Sequence, residues 1–390
     1  MAKGRLYFDY NATAPLLAVA QTAMIDAMQL PGNPSSVHAE GRKARVVITN
    51  ARESVARLCN VAAAQVIICS GATEAANHVL TPDYRMGRSP VRVSQLFVSA
   101  VEHPAILEGG RFAREQVTVL PVDGEGRLDL KALEDALAGH DQTSGQAMLG
   151  LQLANNETGV IQPVRQAADI VKAHHGLVVV DAVQGAGRMP LSLEALGADF
   201  LILSGHKIGG PKGIGALVSA GETLMPAPLL RGGGQEKGHR GGTENLVCIA
   251  GFGAAADAAC EALSDIDRVA ALRDQLEAGL RDQAPDVILH GLAVERLANT
   301  SFFSLPGLKA ETAQIAFDME GVAVSAGAAC SSGKIGLSHV LSAMGADADL
   351  GAIRISLGRE HTENDVERFL EAFKAINTRR LARMGAQVAA

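Results

Sequence analysis

Residues 177–186 read LVVVDAVQGA, and residues 200–218 read FLILSGHKIGGPKGIGALV. Each stretch opens with an unbroken apolar run and then changes to polar residues and glycine. Short β-rich runs come earlier in the chain, separated by helical patterns: residues 66–69, 96–99, 117–120 and 148–153. Apolar strands alternating with helices are typical of a parallel sheet covered on both faces. The sequence therefore predicts a large α/β domain with its ligand at the carboxyl ends of the strands.

The helices of this domain are predicted from the spacing of apolar side chains. One is expected directly after residue 69, one over residues 105–116 and one over residues 164–175. From about residue 245 the pattern changes, because two long alanine-rich helices follow at 245–263 and 266–283.

The chain beyond these helices predicts a second, smaller α+β domain. Strands are expected at 299–305, 322–325 and 353–357, and helices at about 337–344 and 363–380. We assign residues 15–260 to the large domain and residues 1–14 and 261–390 to the small domain.

The composition limits the classes of function. The chain has 390 residues, of which 47% are hydrophobic and 20% charged, as in globular proteins. Its formal net charge of −7 disfavours nucleic acid or an anionic membrane surface as the main partner. The five cysteines show no CxxC spacing, and we expect no bound metal, no membrane span and a cytoplasmic location.

Two predicted strands end in residues with cofactor chemistry. Lys207 follows residues 200–204 in a glycine-rich turn, where burial favours the neutral amine that forms a Schiff base with pyridoxal phosphate. Asp181 would pair with a protonated pyridine nitrogen, and Gln184 would donate to the phenolic oxygen of the ring. A lysine beside a turn and an aspartate that caps one are the alternatives.

Two further strand ends complete this pattern. Gly71, Ala72 and Thr73 begin a helix, and helix N-termini bind phosphate. His103 follows another strand, where a neutral ring would stack on a planar cofactor or move protons. A capping role for Thr73 and a structural role for His103 are the alternatives. Because a parallel sheet gathers such ends at one edge, the set as a whole predicts a pyridoxal-phosphate site.

Cys330 lies in the segment GVAVSAGAACSSGKIGLSHV, residues 321–340, among glycine, alanine and serine and near Lys334. This context favours an accessible, reactive thiol over the buried small hydrophobe that cysteine often is.

Ten segments occur in the following order along the chain: YFDYNATAP, GNPSSVHAEGRKAR, SGATEAAN, VEHPAIL, NNETGVIQP, DAVQGAGRMPL, SGHKIGGPKGIG, GGGQEKGHRGGTEN, SAGAACSSG and IRISLGREHT. Together they resemble the cysteine desulfurase family of pyridoxal-phosphate enzymes, which belongs to the class-V aminotransferase group. The run around Cys330 resembles the subgroup with the pattern SxGxACSS. The resemblance implies fold type I, the fold of these pyridoxal-phosphate-dependent transferases.

The resemblance implies roles for the residues that hold the cofactor. Lys207 would bind it covalently, Asp181 and Gln184 would contact the ring, and His103 would stack on the ring and relay protons. The phosphate would be bound by four residues of this chain and by a fifth from a second copy, which implies a homodimer. These residues are Ala72, Thr73, Ser204 and His206, with Thr243 reaching the phosphate of the other subunit.

The resemblance also implies the reaction. Asn156 and Arg354 would hold the carboxylate of the substrate L-cysteine, because arginine binds carboxylates through two hydrogen bonds. Lys207 would abstract the alpha proton, and Cys330 would take the sulfur as a persulfide while L-alanine leaves. The sulfur would then pass to an acceptor protein, an iron–sulfur scaffold being one option.

Other functions differ in what they require of these residues. A selenocysteine lyase or an aminotransferase of the same class would keep the fold, and an aminotransferase would not need Cys330. Ser204 and Lys207 match the S-x-x-K pattern of penicillin-binding proteins, but the companion K-T-G and S-D-N triplets are absent. A non-catalytic scaffold would not need Lys207, Asp181, His103 and Cys330 together.

Overall fold

The computed structural model describes residues 4–327 and 337–388. Cys330 lies outside these ranges. The strands are β1 Leu6–Tyr7, β2 Val66–Cys69, β3 Asp83–Met86, β4 Ser89–Ser99, β5 Val117–Leu120, β6 Gln146–Gln152, β7 Leu177–Asp181, β8 Phe200–Ser204, β9 Gly215–Ser219, β10 Leu224–Pro226, β11 Ile288–Leu289, β12 Thr300–Ser304, β13 Val322–Ala323, β14 Ser325–Ala326 and β15 Ile353–Ser356. The helices are α1 Ala18–Met28, α2 Ala39–Cys59, α3 Ala72–Val79, α4 Pro104–Leu107, α5 Leu130–Ala138, α6 Val164–Ala173, α7 Leu193–Leu196, α8 Leu246–Ala262, α9 Ile266–Gln283, α10 Ala310–Met319, α11 His339–Ala343 and α12 Glu363–Val388.

The large sheet is parallel at its centre and antiparallel at its sides. Its strand order is β10-β3-β4-β6-β7-β8-β9-β2, and β5 pairs with β4 as well. The pairs β4–β6, β6–β7 and β7–β8 are parallel. Strand β9 runs antiparallel to β8 because the ten residues between them are too few for a crossover connection. Strand β2 is antiparallel to β9, so β2 and β8 end at the same edge of the sheet.

Both faces of this sheet are covered. In β7, Val178 and Val180 belong to the same buried cluster as Phe252 of α8, whereas Val179 belongs to the opposite cluster with Val79 of α3. Alternate side chains of β7 therefore enter two different cores, which explains why residues 177–180 are apolar without interruption. The predicted α/β fold class is confirmed.

The smaller sheet lies in the C-terminal part of the chain. Its antiparallel order is β11-β12-β15-β14, and its core includes Leu276 of α9, Phe317 of α10 and Phe369 of α12. Strand β1 pairs in parallel with β13, so the first residues pack with the C-terminal part. The limits of the two predicted domains stay a prediction.

Two predicted elements are wrong in detail. The helix expected over residues 105–116 ends at Leu107, because Gly109 and Gly110 adopt φ values of +76° and +61°. The single strand expected at 322–325 is two short strands, since β13 pairs with β1 and β14 pairs with β15.

The stretch Leu246–Gln283 is the one helical segment within the described ranges that is long and apolar enough to cross a membrane. Its α8 part packs against α1 and α2, and buried residues such as Phe252 and Ala256 are part of the main core. Core helices of globular proteins share this composition, so the segment is weak support for a membrane span.

Candidate active site

A cavity of about 540 Å³ opens at the carboxyl ends of β2, β6, β7 and β8. It lies at the edge where the sequence predicts the ligand. Nine of the predicted site residues line it: Ala72, Thr73, His103, Asn156, Asp181, Gln184, Ser204, His206 and Lys207.

The amine of Lys207 is held against the N-terminal segment. Its Nζ donates to the backbone oxygens of Asn11 (2.5 Å) and Ala12 (3.0 Å). Backbone bonds fix the two segments to each other, since the Ala14 N–H donates to the His206 carbonyl (2.9 Å). The lysine is therefore positioned by residues about 195 positions away in the sequence.

Asp181 is a buried carboxylate at the end of β7. Its Oδ1 accepts the backbone N–H of Val183 at 3.0 Å. Burial raises the pKa of this carboxyl, and the Val183 N–H and the charges of His103 and Lys207 offset part of the effect. A cationic group in the cavity would add a favourable partner, which is the requirement for binding a protonated pyridine nitrogen.

Gln184 is oriented by two neighbours. Its Nε2 donates to the Asn11 carbonyl at 3.1 Å, and its Oε1 accepts from Arg188. Burial lowers the pKa of Arg188 to about 9, with a further contribution from the nearby charge of Arg354. The Asn11 carbonyl thus receives both the Lys207 amine and the Gln184 amide.

The start of α3 forms the side of the cavity at which the sequence predicts phosphate binding. Gly71 caps this helix, and Ala72 and Thr73 begin it on the cavity wall. A Cβ on Gly215 would lie 2.5 Å from the Leu203 oxygen and 2.8 Å from the Gly71 backbone. Glycine at position 215 therefore lets β9 approach the start of α3, whose free N–H groups favour an anion.

His206 lies beside this wall as a neutral ring. Its Nδ1 is 2.7 Å from Thr13 Oγ1. Burial, together with the nearby charges of Lys207 and Lys212, lowers the pKa of His206 to about 4. Near neutral pH the ring therefore contributes hydrogen bonds and not charge, and Lys212, which also lines the cavity, contributes charge.

His103 caps α4 with its ring. Its Nδ1 accepts the Ala105 N–H at 3.1 Å, which leaves Nε2 to exchange a proton. The preceding Glu102 is fully buried and accepts the Gln152 backbone N–H. Burial raises the pKa of Glu102 well above its usual range, and the neighbouring Asp181 charge adds to this effect.

Comparisons with known proteins show the family to which the chain belongs. The family model "Aminotransferase class-V" matches residues 6–369. The chain belongs to the class-V aminotransferase family. A protein of Cereibacter sphaeroides named "Cysteine desulfurase" is 38% identical, with 98% of this chain and 99% of the relative covered. "Cysteine desulfurase IscS" of Dictyoglomus turgidum is 36% identical, with 96% and 95% covered.

The solved structures include similar folds. A NifS-like protein from Rickettsia africae matches with a TM-score of 0.84 and 33% identity, covering 96% of this chain and 99% of that protein. The resemblance to the cysteine desulfurases is therefore confirmed, and class-V aminotransferases in general use pyridoxal phosphate.

Only one of the two residues predicted to bind the substrate lines the cavity of this class-V aminotransferase chain. Asn156 lines the cavity, whereas Arg354 is buried behind it. The guanidinium of Arg354 donates to the Asn156 carbonyl (2.8 Å) and to Asp9 (2.7 Å). As placed, Arg354 supports the backbone of Asn156, and its predicted contact with a substrate carboxylate stays a prediction.

Two other predicted residues lie away from this cavity or outside the described ranges. Thr243 is exposed and lines a smaller cavity of about 140 Å³ with Arg240 and Glu236. This position leaves its predicted role toward a second subunit open. Cys330 lies outside residues 4–327 and 337–388, so its role stays a prediction.

Sequence reasoning missed several residues of the class-V site. Asn11, Glu102, Gln152 and Lys212 shape the cavity or hold its residues. Asn11 is buried, and its Nδ2 donates to Thr300 Oγ1 at 2.9 Å, which links the site to the smaller sheet. Two of these residues could have been found from their closeness in sequence to the predicted motifs. Glu102 directly precedes His103, and Lys212 follows Lys207 in the same glycine-rich turn.

Proposed function

We propose that this protein is a pyridoxal-phosphate-dependent cysteine desulfurase. The observation that carries the proposal is the meeting of Lys207, Asp181 and His103 in one cavity of a chain whose full-length relatives are named cysteine desulfurases. In the net reaction, L-cysteine and the Cys330 thiol give L-alanine and a Cys330 persulfide.

The described residues fit the cofactor. Asp181 offers a buried carboxylate to the pyridine nitrogen, and Gln184 offers an amide to the phenolic oxygen. The start of α3 offers backbone N–H groups to the phosphate. When bound, pyridoxal phosphate supplies an electron sink for the alpha carbon of the substrate.

The chain's own residues perform the remaining work. The Lys207 amine removes the alpha proton of cysteine and returns a proton to the carbon skeleton. Asn156 binds the substrate carboxylate. The Cys330 thiolate attacks the sulfur of L-cysteine, the carbon–sulfur bond breaks, and its electron pair remains on carbon, which is protonated to give alanine. Because the thiolate is the nucleophile, this step needs a deprotonated Cys330.

We propose that the protein acts as a homodimer in the cytoplasm and passes sulfur to an acceptor protein. Large apolar side chains are exposed on α1 and α2, among them Val19, Met28 and Val46, which supports a covered face. Cys59, Cys69, Cys248 and Cys260 are free thiols, as expected in a reducing compartment.

The test measures both products together. The purified holoenzyme is given L-cysteine and a reductant, and sulfide and alanine are quantified. We expect equimolar products from the wild type, no sulfide from Cys330→Ser, and unchanged products from the matched control Cys248→Ser. Lys207→Ala should lose the lysine adduct that borohydride traps. Full sulfide production by Cys330→Ser would refute the proposal, and transamination or release of selenium alone would change the reaction but not the fold.

A further inference from the structure

A closed cycle of hydrogen bonds among three buried side chains joins the N-terminal segment to the smaller sheet. Asn11 Nδ2 donates to Thr300 Oγ1 at 2.9 Å, and Thr300 Oγ1 donates to Asn299 Oδ1 at 3.0 Å. Asn299 Nδ2 then donates back to Asn11 Oδ1 at 3.1 Å. None of the three residues is more than 4% exposed. Because each side chain donates to one neighbour and accepts from the other, the cycle fixes the orientation of the Asn11 amide.

The backbone of Asn11 is attached to the same end of the smaller sheet. Its N–H donates to Ser356 Oγ at 2.9 Å. Ser356 ends β15 and lies opposite Thr300, the first residue of β12, in the antiparallel pair. One cross-strand pair therefore contacts both the backbone and the side chain of Asn11, and the smaller sheet sets the position of this residue.

The other contacts of Asn11 are with three residues of the cavity. Its carbonyl accepts the Lys207 amine at 2.5 Å and the Gln184 amide at 3.1 Å. Its Nδ2 also donates to the Asn156 carbonyl at 3.3 Å. All four polar atoms of Asn11 are thus in use, and they link the smaller sheet to residues that follow β6, β7 and β8.

We propose that Asn11 is a positioning residue through which the smaller sheet fixes the place of the uncondensed Lys207 amine. The inference rests on the proposed role of Lys207 in binding the cofactor and moving the alpha proton. Lysine has a flexible four-carbon stem, so a fixed acceptor is needed to select one conformation. A displacement of about 1 Å between reacting groups costs up to about 100-fold in rate. Opening the cycle should therefore slow the reactions of Lys207, although no atom of the lysine is changed.

Thr300→Val is the principal test, because valine keeps nearly the same shape and removes the hydroxyl from the cycle. The full chain is stripped of cofactor and mixed with pyridoxal phosphate, and the visible absorbance of the captured cofactor is followed with time. Capture joins the Lys207 amine to the aldehyde carbon with loss of water, and borohydride reduction with mass spectrometry identifies the lysine. We expect capture to be about 3- to 10-fold slower in Thr300→Val, and restored to the wild-type rate in Thr300→Ser, which keeps the hydroxyl.

Thr81→Val is the matched control. Thr81 is 1% exposed, its hydroxyl accepts the Asp83 N–H at 3.2 Å, and it does not line the cavity. Ser356→Ala is a second test variant, because it removes the acceptor of the Asn11 N–H from the same cross-strand pair. We expect it to slow capture as well, so the inference can be refuted even where Thr300→Val does not fold.

A second readout follows the alpha proton in the holoenzyme. L-Alanine is supplied in D₂O, and NMR measures how fast Lys207 exchanges its alpha proton for a deuteron. We expect the maximal exchange rate to fall about tenfold in Thr300→Val, while the half-saturating concentration of alanine changes less than about twofold. Binding is expected to persist because Arg354 still donates to the Asn156 carbonyl at 2.8 Å.

The outcomes separate this inference from the proposed function. Capture and exchange in Thr300→Val as fast as in Thr81→Val would overturn the inference, as would equal slowing in Thr300→Val and Thr300→Ser. Neither assay uses L-cysteine or requires Cys330. Full sulfide production by Cys330→Ser would therefore refute the proposed function and leave the capture result standing, whereas a wild type that captures no cofactor would refute both.

Discussion

The ion pair between Arg52 and Glu236 attaches the glycine-rich loop at residues 232–245 to helix α2. This loop includes Thr243. Two hydrogen bonds of 2.7 Å join the guanidinium to both carboxylate oxygens. The Glu236 side chain is 2% exposed and that of Arg52 is 22% exposed. Oε2 of Glu236 also accepts the Ile68 N–H of β2 at 3.0 Å. The loop is therefore attached to α2 and to the strand that leads into α3.

Glu236→Ala removes the acceptor of both partners. The guanidinium of Arg52 and the N–H of Ile68 are then left without this carboxylate in a largely buried place. Breaking a buried ion pair by deleting one member costs about 3–5 kcal/mol. We expect the free energy of unfolding to fall by about this amount. We also expect the loop to be attached less firmly to β2, the strand that leads into α3.

A double-mutant cycle measures the interaction directly. The free energy of unfolding is determined in denaturant for the wild type, Arg52→Ala, Glu236→Ala and the double variant, and we expect a coupling energy of about 1.5–3 kcal/mol. Arg57 and Asp257 provide the control, because Arg57 also lies on α2 but the two side chains are 59% and 46% exposed. Their coupling should be about 0–1 kcal/mol. Equal coupling energies in the two cycles would refute the reasoning.

Three further perturbations test the site and the core. Asp181→Asn should lower kcat about 10- to 100-fold, since a hydrogen bond to a charged group contributes about 1.5–3 kcal/mol, and unchanged steady-state turnover would contradict the assigned role. Burial lowers the pKa of His290 to about 4, so the unfolded chain binds a proton first as pH falls below about 6.5. Between pH 7.5 and 5 the wild type should therefore lose about 2 kcal/mol more unfolding free energy than His290→Gln, and parallel pH curves for the two would contradict this. Gly215→Ala should destabilise the fold by about 1–3 kcal/mol through its clash with backbone, whereas Gly124→Ala, with open space around it, should change the thermal midpoint little.

The sequence was sufficient to predict the central strands and the edge at which the site forms. Residues 177–180 and 200–203 are all apolar because both faces of β7 and β8 are buried, and this run of apolar residues can be recognised in the sequence alone. Asp181 ends β7, and Lys207 and His103 lie a few residues after β8 and β4, so the parallel pairing of these strands brings the three residues to one edge.

The local sequence was insufficient to predict where an element ends when backbone conformation or strand pairing opposes the side-chain pattern. Residues 105–116 carry a helical pattern of side chains, but the positive φ values of Gly109 and Gly110 end the helix at Leu107. Likewise, residues 322–325 form two strands because each half pairs with a different partner strand.

Contacts between distant segments were decided only by the tertiary structure. The Asn11 carbonyl receives the Lys207 amine and the Gln184 amide, and Arg354 turns toward Asp9 and the Asn156 carbonyl. Only a few residue types can perform each chemical role in a reaction, so the sequence motifs are enough to indicate which residues take part. Which donor meets which acceptor depends on chain segments hundreds of residues apart, and their packing fixes the direction of each buried side chain.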